Sequence, residues 1–177
     1  MKKIFYITTP IYYVNDKPHI GHAYTTILAD VLARFHRDSG YDTFFLTGLD
    51  EHGQKVQEAA KQKNIDPQKH CDAMAPRFIE LWKKLHISND DFIRTTEDRH
   101  KSIVQYILQR VMDNGDIYEA EYEGLYSVSE ERFITEKEAD SGEFRGIKKL
   151  KEKNYFFKMS KYQDQLIDHI QSNPKFI

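Results

Sequence analysis

Residues 3–53 decide the fold of this chain: they read KIFYITTPIYYVNDKPHIGHAYTTILADVLARFHRDSGYDTFFLTGLDEHG. A β-branched and aromatic run that ends at Pro10 is typical of a strand. After Pro18, apolar residues recur with the 3.6-residue period of a helix, which Gly40 is placed to end. They are Ile20, Tyr24, Ile27, Leu28, Val31, Leu32 and Phe35. Residues 43–47 indicate a second buried strand. The sequence therefore predicts a right-handed βαβ unit with two adjacent parallel strands.

The rest of the chain divides into a helical stretch and a β-rich stretch. Helices are predicted over residues 53–63, 67–85 and 97–114, with a weaker strand at residues 92–95. Alternating strands and helices predict an α/β fold with a parallel sheet. Residues 116–157 are rich in Tyr, Glu and Gly and carry turn signals, which are typical of a small β-rich module.

The end of the chain predicts one more helix. Ser160 and Gln163 form the pattern of a capping box at its start. We place the domain boundary after residue 115 and predict two domains, residues 1–115 and 116–177.

Composition excludes several classes of protein. The 177 residues carry 26 Lys and Arg against 28 Asp and Glu, so overall charge does not drive the chain onto nucleic acid. A single cysteine excludes an internal disulfide framework and a zinc site made of cysteines alone. The sequence shows no apolar run of the ~20 residues that a membrane span needs and no signal peptide. We expect a soluble, reduced, cytoplasmic protein without a membrane partner.

Chemically useful residues lie where the two predicted strands end. Ligands of open α/β sheets bind beyond the carboxyl ends of the strands, and the loops at residues 9–19 and 48–53 leave that edge. The first loop leads to the tetrad HIGH at residues 19–22, and the second carries two acidic residues and a histidine at residues 50–52. The sequence has no GxGxxG motif and no Walker-type lysine loop, so dinucleotide and P-loop phosphate binding lack support.

The HIGH tetrad has three possible interpretations. At a helix N-terminus, free N–H groups and the helix dipole favour phosphate, and His19 and His22 could add donors while Gly21 leaves room for a flat base. The plain alternative is a glycine at a helix start with two solvated histidines. A third interpretation is a zinc site that combines the two histidines with Asp50 and His52.

Several ordered motifs together carry a resemblance to a known family. They are TPIYYVN at residues 9–15, PHIGH at 18–22, TGLDEHG at 47–53, YFF at 155–157, SKYQ at 160–163 and NP at 173–174. Over nearly the whole chain this pattern resembles the bacterial type of methionyl-tRNA synthetase. The resemblance implies the first half of a class I Rossmann-type parallel sheet with helices on both faces, followed by a small β-rich connective-peptide module and a return helix.

The family's activity is the ATP-dependent ligation of methionine to its tRNA through methionyl-adenylate. The resemblance therefore implies ATP with Mg²⁺, methionine, and initiator and elongator methionine tRNA as partners, together with the remainder of a synthetase chain. We expect these residues to be an N-terminal fragment that is inactive alone. Two alternatives stay open. One is another class I synthetase or a nucleotidylyltransferase, and the other is a truncated relative that binds tRNA or protein without catalysis.

The resemblance also assigns roles to single residues on the nucleotide side. His19 and His22 match the catalytic histidines that contact the ATP phosphates, and Gly21 matches the glycine beneath the adenine. His52 matches a position near the nucleotide.

On the amino-acid side, Asp50 matches the carboxylate that pairs with the methionine ammonium, as a charge-assisted hydrogen bond would require. Ile11 matches the position whose backbone contacts methionine. Tyr13 matches the aromatic ring over the methionine side chain, where a sulfur–aromatic contact is favourable.

Two departures from the family pattern limit these expectations. KMSK at residues 158–161 is followed by Tyr162 where the family's mobile lysine loop has a further serine, so we reject that assignment. Ser127 and Glu130 occupy positions where many relatives carry zinc-binding cysteines, and we therefore expect no structural zinc. Six lysines between residues 148 and 161 either guide tRNA or form a solvated face.

Overall fold

The computed structural model describes residues 2–130 and 132–176. It has two compact units, residues 1–103 and 104–177. The first unit is built on a parallel sheet. Its strands are β1 (Ile4–Thr8), β2 (Tyr12–Tyr13), β3 (Asp42–Asp50) and β4 (Asp91–Arg94), and its helices include α1 (Ile20–Asp38), α2 (Gln54–Gln62) and α3 (Pro67–Lys84). Strand β3 pairs in parallel with each of the other three strands. The predicted α/β class and the parallel βαβ unit are confirmed.

Helix α3 folds as its sequence predicts. Asp66 caps its start by accepting from the backbone N–H groups of Gln68 and Lys69. Its apolar face is buried in a cluster that also contains residues of β2 and β3. That cluster consists of Tyr12, Val14, Leu49, Val56, Cys71, Met74, Ala75, Phe78 and Trp82. The ends of β2 and β3 therefore pack on an apolar core that contains three aromatic side chains, Tyr12, Phe78 and Trp82.

Helix α1 forms where predicted, but a different face of it contacts the sheet. Small side chains, Ala29 and Ala33, pack with Phe45 of β3. The larger apolar residues that revealed the helix are exposed, for example Ile20 at 87% and Phe35 at 62%. Small residues let a helix lie close to a strand, which explains why they rather than the large residues form this contact.

Strand β3 approaches β4 unusually closely at Gly48. A Cβ atom added there would lie 2.1 Å from the carbonyl oxygen of Ile93, its register partner. Only glycine fits this position without separating the strands. The close pairing brings the end of β4 against the loop that follows β3.

The second unit is β-rich, as predicted. Its elements are helix α4 (Asp98–Asp113, which begins in the first unit), β5 (Ile117–Ser127), β6 (Arg132–Ile134), α5 (Glu136–Asp140), β7 (Ile147–Phe157), a 3-10 turn (Met159–Tyr162) and α6 (Gln163–Ser172). Strand β5 is central and pairs antiparallel with β6 and β7. The domain boundary after residue 115 stays a prediction, since the division by contacts falls inside α4.

The predicted capping box of the last helix is wrong. Ser160 lies inside the 3-10 turn, and α6 begins at Gln163 without a side-chain cap. The turn is held instead by the buried carboxylate of Asp116. It accepts from the Lys161 ammonium at 2.5 Å and from the Tyr162 hydroxyl. These contacts replace the hydrogen bond that the serine was expected to make.

Candidate active site

The residues expected to bind methionine lie where β2 and β3 end. Tyr13 is the register partner of Asp50, and the preceding Tyr12 pairs with Leu49. Because side chains alternate along a strand, Tyr12 is buried in the core while Tyr13 is 40% exposed. Ile11, just before this strand, is 43% exposed. The pairing therefore brings two of the three candidate residues to adjacent positions and leaves their side chains accessible.

His19 and His22 form an unusual cap at the start of α1. The Nδ1 atom of His19 accepts a hydrogen bond from the Gly21 N–H at 3.1 Å. The Nδ1 atom of His22 accepts from the His19 N–H at 3.2 Å, and the two rings stack with centroids 3.7 Å apart. A neutral imidazole that accepts at Nδ1 carries its proton on Nε2. The cap thus fixes both rings as Nε2–H donors at a helix N-terminus.

His22 rests against the aromatic core. Its ring centroid lies 4.7 Å from that of Tyr12 and 5.4 Å from that of Phe78. The Tyr12 hydroxyl is 2.9 Å from the hydroxyl of Thr26, which also donates to the His22 carbonyl. Burial, and then the charge of His19, lowers the pKa of His22 below its ordinary value. The protein therefore favours the neutral ring that the cap requires.

Acidification is expected to weaken this cap. Because folding lowers the pKa of His22, the unfolded chain binds a proton on this ring more tightly than the folded protein does. The stabilising contribution is therefore complete above the ordinary pKa of 6.5 and is lost as the pH falls from there through the lowered value. We expect the melting temperature of the full-length protein to fall more between about pH 8 and pH 5 than that of His22→Gln. Glutamine at this position keeps the capping geometry without titrating. Equal losses in both proteins would contradict the assignment.

The loop after β3 is held by residues that the sequence analysis did not select. Glu51 lies between Asp50 and His52, and its buried side chain pairs with Arg94 at 2.7 Å. Thr96 donates to the same carboxylate. A signal was present in the sequence, because three polar residues, Arg94 to Thr96, end a strand at the ligand-binding edge.

The contacts of Glu51 with Arg94 and Thr96 anchor the loop, and Asp50 and His52 lie on either side of Glu51 in the sequence. A carboxylate oxygen of Asp50 accepts from the His52 backbone N–H at 3.2 Å. The Nδ1 atom of His52 lies 3.0 Å from the hydroxyl of Thr95. Asp50 is partly exposed and His52 is exposed, so both side chains remain accessible to a ligand.

A cavity of about 320 Å³ lies beside this loop. His52, Gly53 and Thr96 line it together with the start of α3 and Cys71. Burial raises the pKa of the Cys71 thiol to about 11, so this cysteine is a neutral packed group rather than a nucleophile.

The family model described as tRNA synthetases class I (M) matches residues 5–146. The chain belongs to this family. The segment that matches includes the HIGH tetrad, the loop at residues 50–52 and most of the second unit of this synthetase chain.

Individual relatives agree with that membership. The chain is 54% identical to Methionine--tRNA ligase of Rickettsia bellii over 181 residues, and 50% identical to that of Bacillus subtilis over 188 residues. These alignments cover 100% and 98% of this chain, but only 36% and 28% of the relatives. The chain thus spans about a third of the length of the curated relatives it matches.

Solved structures support the fold. Mycobacterium tuberculosis methionyl-tRNA synthetase in complex with methionyl-adenylate matches with a TM-score of 0.91 and 39% identity, over 98% of this chain and 36% of that one. A LeuRS from Agrobacterium radiobacter K84 matches with a TM-score of 0.80 at 21% identity, covering 97% of this chain and 23% of that one, which concerns the fold alone.

The zinc interpretation of the sheet edge finds no support in this synthetase chain. Within residues 2–130 and 132–176, no group of three or more His, Cys, Asp or Glu side chains is arranged to hold a metal ion. In the second unit, the Ser127 hydroxyl lies 3.0 Å from that of Ser129 and accepts from the Glu130 N–H.

The described helices include none that is long and apolar enough to cross a membrane.

Most of the lysine-rich segment is neutralised by neighbouring groups. Cross-strand ion pairs join Lys149, Lys151 and Lys153 of β7 to glutamates of β5, with N–O distances of 2.5–2.8 Å. Lys158 donates to the Gly115 carbonyl. Lys161 also pairs with Asp116. Together these contacts favour the interpretation of a solvated face over that of a surface that guides tRNA.

Proposed function

We propose that this chain is the N-terminal part of a methionine--tRNA ligase, which joins methionine to ATP as methionyl-adenylate and then transfers it to tRNA. The observation that carries the proposal is the pairing of Tyr13 with Asp50 at the edge where the two-histidine cap of α1 begins. The names of the relatives and the adenylate in the Mycobacterium tuberculosis structure support this choice of substrate.

Methionine is bound through its ammonium group and its side chain. Asp50 pairs with the ammonium, since a partly buried carboxylate both attracts and orients a cation. The Ile11 backbone contacts the amino acid, and the exposed Tyr13 ring covers the thioether. A sulfur–aromatic contact contributes roughly 0.3–1.5 kcal/mol, which favours methionine over residues without sulfur.

ATP is bound at the start of α1. His19 and His22 donate from Nε2 to the phosphates, where the helix dipole adds to the attraction. Gly21 lies beneath the adenine. A Cβ atom there would come within 3.0 Å of the His19 ring, so a side chain would disturb the cap as well as the base. His52 lies near the nucleotide, and Mg²⁺ enters as part of the nucleotide substrate, on its leaving phosphates.

The reaction needs no covalent nucleophile from this segment. The methionine carboxylate attacks the α-phosphate of ATP, the bond to the leaving pyrophosphate breaks, and methionyl-adenylate remains. Positioning of the two substrates and stabilisation of phosphate charge by fixed donors lower the barrier. His19 and His22 suit this role because the cap holds their donors in place before ATP arrives.

The wider assignments follow from the proposed activity. Initiator and elongator methionine tRNA are the acceptors, and the protein acts in the cytoplasm. Residues 1–115 form the first half of the Rossmann catalytic domain, and residues 116–177 form the connective-peptide module and return helix. The 177 residues require the remainder of the synthetase chain for activity, and we expect them to carry no structural zinc.

ATP–pyrophosphate exchange tests this proposal. The full-length protein of this reading frame is assayed with each standard amino acid, and the isolated 177-residue chain serves as a comparison. Exchange with methionine alone is expected from the full-length protein, and none from the isolated chain. Exchange with another amino acid indicates a different class I synthetase, and exchange with none indicates a nucleotidylyltransferase or a binding protein. Each of those two results would overturn the proposal.

A further inference from the structure

Thr95 makes two hydrogen bonds to the loop that carries Asp50. Its hydroxyl oxygen lies 2.9 Å from the backbone nitrogen of Glu51 and 3.0 Å from Nδ1 of His52. Thr95 itself is 6% exposed, and its backbone N–H donates to the Leu49 carbonyl at 3.2 Å. One buried residue at the end of β4 therefore contacts three positions around Asp50.

One of the two hydrogen bonds of the Thr95 hydroxyl has a fixed direction, and the other depends on the tautomer of His52. The Glu51 N–H can only donate, so the Thr95 oxygen accepts from it. The threonine hydroxyl keeps one hydrogen and one lone pair, so the direction of its contact with Nδ1 of His52 depends on the tautomer of that ring; when the hydroxyl donates, Nδ1 is the acceptor. With Nδ1 accepting, the neutral His52 ring carries its proton on Nε2.

Arg94 and Thr96, on either side of Thr95, hold the same loop through the side chain of Glu51. Arg94 bridges the buried Glu51 carboxylate at 2.7 Å and Asp72 of α3 at 2.5 Å. Thr96 donates to the other oxygen of Glu51. This anchor fixes the loop to the sheet, and the Thr95 hydroxyl is the part of it that reaches the backbone next to Asp50 and the ring of His52.

We propose that Thr95 is a positioning residue for the site. Its hydroxyl holds the Asp50 carboxylate at the orientation that methionine requires and keeps His52 in the Nε2–H form. This inference rests on the proposed function, because it assumes that Asp50 and His52 face the substrates. Thr95 does not itself contact a substrate in this proposal, and it acts through Asp50 and His52.

The backbone pairing separates this role from a merely structural one. Valine has the shape of threonine but lacks the hydroxyl. Thr95→Val leaves the N–H bond to Leu49 in place, so β3 and β4 still pair, while the Glu51 N–H and the His52 ring lose their partner. Thr95→Ser keeps the hydroxyl and is the conservative rescue.

Thr43 offers a matched control on β3. Its hydroxyl is buried and has no hydrogen-bond partner within the described part of the chain. Thr43→Val therefore makes the same chemical change without removing a hydrogen bond, and we expect its kinetics to match those of the wild type.

The test uses the full-length protein, with pyrophosphate exchange and ¹⁵N NMR of the histidine rings. We expect Thr95→Val to raise the KM for methionine by about ten-fold, as loss of a buried hydrogen bond predicts. Thr95→Ser should stay within about two-fold of the wild type. The His52 ring should give the Nε2–H signature in the wild type and a mixture of tautomers in Thr95→Val.

Three results would overturn the inference. They are a wild-type His52 ring protonated on Nδ1, an unchanged KM in Thr95→Val, and a rise in KM that Thr95→Ser and Thr43→Val share. The first needs no variant, so it decides the matter even where Thr95→Val fails to fold. Failure of the proposed function appears separately, as a wild-type protein with no methionine-dependent exchange, and the ring signatures still test Thr95 in that case.

Discussion

Replacement of His19 by alanine is expected to lower the rate of adenylate formation in the full-length protein by about 10²–10³-fold. That is the size of the loss when one preorganised donor to a developing anion is removed. The KM for methionine should change little, because the candidate methionine-binding residues Ile11, Tyr13 and Asp50 lie just before β2, on β2 and on β3 rather than on α1. Single-turnover formation of methionyl-adenylate is the measurement, and His22→Ala should behave similarly.

His19→Asn separates catalysis from helix capping. Asparagine is a favoured N-cap residue and can accept from the Gly21 N–H, as the Nδ1 atom of His19 does. It cannot place a ring Nε2–H at the phosphates. Loss of the cap in His19→Ala should cost about 1 kcal/mol of stability and so lower the melting temperature. We expect His19→Asn to restore the melting temperature but not the rate of adenylate formation. A variant that recovers both would show that His19 acts only as a cap.

Replacement of Arg94 by alanine is expected to cost about 3–5 kcal/mol of local stability, because it leaves a buried charge without its partner. The Glu51 side chain is fully buried, whereas that of Arg94 is 22% exposed. The damage should be greatest around residues 46–54, where the anchor holds the end of β3. Amide hydrogen exchange of peptides from that stretch, measured in the full-length protein, gives the size of the effect.

Two variants show whether the stranded charge causes the loss. Glu51→Gln in the Arg94→Ala background removes that charge and should recover part of the protection. Arg99→Ala removes another arginine with two carboxylate partners, Asp91 and Glu97, but its side chain is 49% exposed. It should cost less than about 1 kcal/mol. Equal losses in Arg94→Ala and Arg99→Ala would contradict the argument.

The sequence predicted those features that depend on neighbours along the chain. The period of residues 20–35 identified α1, and Asp66 with Pro67 identified the start of α3. The connection between two apolar strands led to a parallel pair, which the register of β1 and β3 confirms. The edge that carries residues 19–22 and 50–52 followed from that topology alone.

Features that depend on contacts between distant segments were not predicted. The period of α1 does not say which face meets the sheet, and the small residues Ala29 and Ala33 do so. Ser160 matched a capping pattern, but the turn is held by Asp116, more than 40 residues earlier in the sequence. For the lysine-rich segment the sequence left two interpretations open, and the pairing of β7 with β5 brings glutamates within 2.5–2.8 Å of three of its lysines.

The sequence by itself determined the α/β class, and its spacing and motifs indicated the position of the candidate site and the candidate residues there. Only the tertiary structure decided how that site is held. The hydrogen bonds of Thr95 and the ion pair of Arg94 join residues 43 or 44 positions apart. Contacts of that range depend on strand register, which the close approach at Gly48 fixes and which no local pattern specifies.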